Sequence, residues 1–101
     1  MPAAPTMRPE AETREETRVS PRWKVILLND DVTTFEFVID LLVRLFHKNR
    51  VEAVRLTHEV HDTGSAIVAV TTFERGELYV EQIRSTARPS GFPLSATLEP
   101  E

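Results

Sequence analysis

The sequence predicts a single small α+β domain in which a three-stranded antiparallel sheet packs against three helices. Two observations lead to this fold class. Short runs of β-branched and aromatic residues alternate with longer segments whose apolar residues recur every three or four positions, and the order is β-α-α-β-α-β. In addition, the chain has 101 residues of which 41% are hydrophobic, which is enough for one modest core.

The first strand and the first helix are separated by a short polar turn. Trp23 to Leu28 is a mostly apolar run, which favours a central strand. An amide and two carboxylates interrupt this run. Thr33 followed by Glu36 matches a capping box and predicts a helix from about Thr34 to His47.

The second helix carries a cap signal at each end. Asn49 with Glu52 repeats the capping pattern, so we predict a helix to about Asp62, and Gly64 is a candidate for its C-cap. The β-branched run from Ser65 to Thr72 then predicts the second strand.

The last two elements are a helix and a strand on either side of a turn. Phe73 to about Arg88 predicts the third helix, although Gly76 within it costs about 1 kcal/mol relative to alanine. Pro89 and Gly91 predict a turn, and the sequence from Phe92 to Glu99 predicts the last strand.

The first 22 residues differ in composition from the rest of the chain. They hold four of the seven prolines, and four arginines balance four glutamates. With few large apolar side chains, such a segment cannot offset the entropy of ordering, so we predict a flexible tail at residues 1–22 and a folded domain at residues 23–101. The net charge of −4 therefore belongs to the domain, which has eight basic and twelve acidic side chains.

Composition also disfavours several classes of function. The absence of cysteine excludes disulfides, thiolate nucleophiles and cysteine-based zinc sites. No apolar run approaches the roughly 20 residues that span a bilayer, and no secretion signal is visible, which predicts a cytoplasmic protein. The negative charge disfavours a nucleic-acid partner. We predict no metal or cofactor, since the only other histidine that could join His58 and His61 as a ligand is the distant His47.

A candidate binding site follows the first strand. Asn29, Asp30 and Asp31 offer acceptors and negative charge, which suit a small cation such as an ammonium group. On the second helix, His61 shares a face with Val54 and Thr57. If that face lies beside the turn, His61 can join Asn29 and Asp30 around one cavity. The walls of such a pocket would be Phe35, Val38, Thr57 and Val60. A purely local interpretation, turn and cap chemistry with a structural histidine, also fits these residues.

Four motifs in order carry a resemblance to a known family. Leu-Asn-Asp-Asp-Val-Thr at 28–33, Glu-Phe-Val-Ile-Asp at 36–40, Glu-Val-His-x-x-Gly at 59–64 and Pro-Leu-x-x-Thr-Leu-Glu at 93–99 resemble the ClpS family. These proteins are bacterial and plastid adaptors that deliver N-degron proteins to a Clp unfoldase and its peptidase. The resemblance covers roughly residues 23–99 without large gaps. It implies an adaptor rather than an enzyme, with the α+β fold described above.

The resemblance also implies roles for individual residues. Family members hold the free α-amino group and the first side chain of substrates that begin with Leu, Phe, Tyr or Trp. The amino group would be bound by Asn29, His61 and, through water, Asp30. Asp31 would add to the negative electrostatic field and fix the loop. The first side chain would enter a pocket lined by Thr33, Phe35, Val38, Thr57, Val60 and Leu94. Thr33 would also cap the first helix, and a leader at residues 1–22 would be engaged by the unfoldase.

Several positions depart from the family pattern. Thr34 replaces the usual proline, and Phe35 and Thr57 replace residues that are commonly methionine. We expect Phe35 to narrow the mouth of the pocket, and Thr57 to widen one wall and make it more polar. On the surface that docks the unfoldase, Glu74 matches the family's acidic residue, but Tyr79 stands in place of its lysine.

Two other functions remain open from the residues. An enzyme could use Asp30 or Asp31 with His61 as an acid–base pair, but no nucleophile, metal set or phosphate loop accompanies them. Alternatively, the chain could be an interaction domain without a ligand pocket, with a topology like that of the C-terminal domain of a ribosomal stalk protein.

Overall fold

The first strand, β1, lies at the centre of a three-stranded sheet with the order β2-β1-β3 and is antiparallel to both neighbours. The structure is a computed structural model that describes residues 21–101. The elements are β1 Trp23–Leu28, α1 Phe35–Phe46, α2 Arg50–Thr63, β2 Ser65–Thr71, α3 Phe73–Ala87, a 3₁₀ turn Arg88–Ser90 and β3 Ser95–Pro100. The predicted fold class, element order and central position of β1 are confirmed.

The core lies between the sheet and the helices. Val25 and Leu27 alternate along β1 with less buried residues and are completely buried, as the period of a strand requires. Helix α1 adds an apolar stripe to this core: Val38, Leu41, Leu42 and Phe46. The stripe matches a helix with one buried face, so hydrophobic burial holds α1 against the rest of the domain.

Helix α1 begins one residue later than the predicted capping box implies. Its N-cap is Thr34, whose side chain accepts a hydrogen bond from the Phe37 amide at 3.1 Å. The predicted Thr33 cap is wrong because Thr33 is used by the preceding turn. Both its amide and its hydroxyl donate to the Asp30 carboxylate.

The predicted caps of α2 are confirmed. The Asn49 side chain accepts from the Glu52 amide at 2.8 Å, and Gly64 closes the helix with a φ of 99°. Glu52 does not complete a capping box in the usual way. Its carboxylate instead accepts two hydrogen bonds from Arg55, at 2.6 and 3.0 Å.

The segment before β3 is a loop rather than the predicted start of the strand. The Phe92 amide donates to the Ala87 carbonyl at 3.1 Å, and the Arg88 side chain donates to the carbonyls of Phe92 and Leu94. These bonds occupy groups that a strand would need, so β3 begins at Ser95 instead of Phe92. Pairing with β1 then runs from Leu28 opposite Ser95 to Trp23 opposite Pro100.

Arg22, the last residue of the predicted tail, is hydrogen-bonded to the folded part of the chain. The Arg22 carbonyl accepts from the Glu101 amide at 2.9 Å, and its guanidinium donates to the Val70 carbonyl at 3.1 Å. Residues 1–20 of the predicted tail lie outside the described residues, so the tail stays a prediction. Between residues 21 and 101, no helix has the length and apolar character needed to cross a membrane.

Candidate functional site

A cavity of about 190 Å³ lies where the end of β1, the start of α1, helix α2 and the loop before β3 meet. All ten side chains predicted to bind a ligand line this cavity, together with Leu28. We call Asn29, Asp30, Asp31 and His61 the mouth, because three of them are exposed and Asp30 is half-buried. We call Val38, Thr57, Val60 and Leu94 the floor, because each is at most 6% exposed.

The loop of the mouth is fixed by Asp30. Its Oδ1 accepts from the amides of Val32 and Thr33 at 2.8 and 2.7 Å, and its Oδ2 accepts from the Thr33 hydroxyl at 2.7 Å. This role was predicted for Asp31, whose side chain is exposed and accepts none of these hydrogen bonds. The backbone N–H of Asn29 donates to the Gly64 carbonyl at 2.9 Å. This bond ties the loop to the end of α2, close to His61, and leaves the Asn29 side chain out of it.

The same hydrogen bonds determine the charge state of Asp30. Partial burial by itself would raise the pKa of this carboxyl group. The hydrogen bonds from Thr33 and Val32, together with the positive charge of Arg88, outweigh burial and leave the pKa below its usual value. Asp30 therefore carries a negative charge at the mouth at neutral pH.

The floor is apolar even at its one hydroxyl. Thr57 is 2% exposed, and its hydroxyl donates to the Ala53 carbonyl one turn earlier at 2.7 Å. Its hydrogen is therefore unavailable to a ligand, and the wall is less polar than predicted from the residue type. Val38, Val60 and Leu94 supply the remaining aliphatic surface of the floor.

Phe35 forms a wall of the cavity and packs against two imidazole rings of α2. Its ring centroid lies 5.2 Å from that of His58 and 5.0 Å from that of His61, and both pairs are close to edge-to-face. In the sequence, His58 stands out only as a candidate metal ligand, and nothing there indicates that it lies near Phe35. Among residues 21–101 no cluster of three or more histidine, aspartate or glutamate side chains could hold a metal ion.

Arg88 is a second residue that sequence reasoning missed. Its guanidinium donates to the Phe92 carbonyl at 3.0 Å and to the Leu94 carbonyl at 2.8 Å. These bonds fix the loop that carries Leu94 into the floor. An arginine directly before Pro-Ser-Gly was the available signal, because a long donor at the start of a turn can bond to the carbonyls that follow it.

The two residues predicted to dock a partner lie on α3, away from the cavity. Glu74 is exposed in the first turn of α3. Tyr79 is half-buried, with its ring centroid 4.5 Å from that of Phe46 and the Arg75 guanidinium 5.9 Å from its ring. Five residues apart on a helix, Glu74 and Tyr79 point about 140° away from each other, so they do not meet at one point.

The fold and the cavity together define a small α+β domain with a side-chain-sized pocket and a polar, negatively charged mouth. Residues 18–97 match the family model described as ATP-dependent Clp protease adaptor protein ClpS. The chain belongs to the ClpS family and is an adaptor of the Clp protease, not an enzyme. The alternative of a ligand-free domain of the ribosomal-stalk type is thereby set aside.

Individual relatives agree with this assignment. The ClpS adapter of Nautilia profundicola is 47% identical over 77 residues, which cover 76% of this chain and 79% of the relative. That of Campylobacter jejuni strain RM1221 is 41% identical over 95 residues and covers 92% and 99% of the two chains. Among solved structures, Agrobacterium tumefaciens ClpS2 bound to L-phenylalaninamide superposes with a TM-score of 0.79 at 35% identity, covering 81% of this chain and 99% of that one.

Proposed function

We propose that this adaptor binds the free α-amino group and the bulky hydrophobic first side chain of N-degron proteins, and delivers those proteins to a Clp AAA+ unfoldase and its peptidase. One observation carries the proposal: a polar, anionic mouth opens directly onto an apolar floor within a single cavity. A protein N-terminus that begins with Leu, Phe, Tyr or Trp has the matching combination, an ammonium group and an apolar side chain on the same α-carbon.

The mouth can satisfy the amino group. An α-ammonium group has three donors, and Asn29 and His61 each offer an acceptor at the rim. Asp30 already accepts three hydrogen bonds, and a carboxylate has about four acceptor positions. Its contribution is therefore mainly its negative charge, with contact through water. A protonated imidazole cannot accept a hydrogen bond, so His61 can serve the amino group only in its neutral form.

The floor can hold a first side chain. A dry cavity of about 150 Å³ in another protein binds benzene, so about 190 Å³ accommodates one six-membered ring together with the start of a peptide. The related ClpS2 structure holds L-phenylalaninamide, which carries both a free amino group and such a ring. This ligand supports the proposal for the present chain because the two chains share the fold and 35% identity.

Delivery requires contacts outside the cavity. We propose that the unfoldase's N-terminal domain docks on α3, with Glu74 and Tyr79 contacting it from different sides of the helix, and that residues 1–22 form a leader engaged during delivery. Deleting residues 2–18 should leave peptide affinity unchanged and sharply reduce degradation of an N-degron substrate in a reconstituted assay. Equal degradation by the full-length and truncated proteins would contradict the leader role. The proposed compartment is the cytoplasm.

The binding step can be tested by titrating a fluorescent peptide that begins with Phe. We expect saturable binding by the peptide with a free α-amine and none by the same peptide after acetylation. A peptide of the same length that begins with Gly separates the amino group from the side chain, and should bind far more weakly than the Phe peptide. Undiminished binding of the acetylated peptide would overturn the N-degron proposal.

A further inference from the structure

The ring of Phe35 owes its position to α2 rather than to the core. Phe35 is 38% exposed and is the first residue of α1, where its backbone is set by the Thr34 cap. Its ring meets His58 at 5.2 Å and His61 at 5.0 Å, with interplanar angles of 89° and 71°. Aromatic pairs prefer this separation and this near-perpendicular orientation. Two imidazoles one helical turn apart therefore hold the ring from the side of α2.

The two imidazoles differ in their relation to the cavity. His61 lines it and belongs to the mouth, whereas His58 is exposed and does not line it. The contact that links His58 to the cavity is the one with Phe35, which lines it. Thr57, in the floor, is a short side chain whose hydroxyl is bonded to Ala53, and Phe35 is the largest side chain that lines the cavity. The position of the Phe35 ring thus decides how wide the cavity is.

We propose that His58 is a positioning residue that sets first-residue specificity by holding the Phe35 ring as a fixed wall of the cavity. This inference rests on the proposed binding of N-terminal residues. With the wall fixed, a cavity of about 190 Å³ favours a single ring, as in Phe, over the larger fused ring of Trp. Without His58, the Phe35 ring turns away more easily and the cavity admits the larger group.

The test measures affinities for peptides that differ only in their first residue, Phe or Trp. For His58→Ala we expect about two- to tenfold weaker binding of the Phe peptide, in line with the loss of one aromatic pair, and a smaller loss or a gain for the Trp peptide. His58→Phe restores an aromatic neighbour and should restore the wild-type ratio, whereas His58→Leu should not. The matched control is His47→Asn, because asparagine tolerates the left-handed conformation of His47, whose φ is 59°.

A double variant decides whether His58 acts through Phe35. In the Phe35→Leu background, His58→Ala should leave the ratio of Phe to Trp affinities unchanged. An ordinary loss of stability would instead weaken both peptides equally and would follow the thermal midpoint. If the wild type binds the free peptide and not the acetylated one, but His58→Ala keeps the wild-type ratio, this inference is overturned while the proposed function stands. If the wild type binds neither the free nor the acetylated peptide, both this inference and the proposed function are overturned.

Discussion

The mouth and the floor of the cavity differ in how much their side chains contribute to the stability of the fold. Asn29, Asp31 and His61 are exposed, while Leu94 and Thr57 are among the most buried side chains of the domain. These three mouth side chains are therefore free to bond to a ligand and contribute little to the core, whereas Asp30 also fixes the loop. A floor residue serves the core and the cavity at once. Binding and stability should thus separate at the mouth and remain linked at the floor.

The largest effect is expected from truncating the floor. Leu94→Ala should lower the free energy of unfolding by about 2–5 kcal/mol, because Leu94 is 1% exposed and its removal leaves unfilled space. Urea denaturation measures this change, and affinity for the Phe peptide should fall with it. Val51→Ala is the control, since Val51 is 81% exposed and its truncation should stay within about 0.5 kcal/mol. A stable Leu94→Ala protein would mean that the floor is not part of the core.

The next largest effect is expected at the mouth, and on affinity alone. Asn29→Ala should weaken binding of the Phe peptide by about 1–3 kcal/mol, or roughly 5- to 150-fold, because the ammonium group loses an acceptor on leaving water. The free energy of unfolding should change by less than about 0.5 kcal/mol.

Asn49→Ala provides the opposite control. It removes the N-cap of α2, which should cost about 1 kcal/mol of stability and leave affinity unchanged. Similar affinities for the two asparagine variants would show that the Asn29 side chain does not bind the amino group.

A smaller effect is expected from Arg88, which connects the floor to its supporting loop. Arg88→Met removes the hydrogen bonds to the Phe92 and Leu94 carbonyls and should lower the free energy of unfolding by about 1–2 kcal/mol. Arg88→Lys keeps the charge near Asp30 but cannot present the same fork of donors. If the carbonyl contacts matter, lysine should not restore stability. Full restoration by lysine would show that charge alone is required.

The smallest effect concerns the pH dependence of stability at Asp30. The pKa of this carboxyl is below its usual value of 3.8 in the folded protein, so its contribution is present above that value and is lost as the pH falls through the folded pKa. Asp30→Asn lacks this contribution. The wild type should therefore lose more stability than Asp30→Asn between neutral and strongly acidic pH. Thermal midpoints across that range measure the difference, and parallel losses would contradict the assignment.

The sequence predicted those parts of the fold that depend on local signals. Asn49 was found as the N-cap of α2 because its side chain can accept from the first turn, and Gly64 as the C-cap because it lacks a side chain and tolerates a positive φ. The start of α1 was misplaced by one residue because Thr33 and Thr34 are equally good caps by type. Only the turn at Asp30, which occupies Thr33, decides between them. The start of β3 was misplaced because the Arg88 side chain bonds across the loop.

The residues around the cavity could be grouped from the motifs, but their individual contacts could not. No pattern in the sequence indicates that the Thr57 hydroxyl turns back to the Ala53 carbonyl, or that His58 reaches Phe35. Both depend on the distance between two helices and on side-chain rotamers. These are tertiary properties that residue type and spacing do not fix.

The central position of β1 also has a mechanical consequence. The chain enters β1 at Trp23 and reaches the mouth after Leu28, a path of about 17 Å along a strand paired on both sides. The hydrogen bonds of antiparallel ladders lie perpendicular to the strands. A tension applied at Arg22 and resisted at the cavity therefore loads two ladders in shear, with many bonds sharing the force. The strand that leads to the mouth is thus a tether suited to carrying load while a ligand is held.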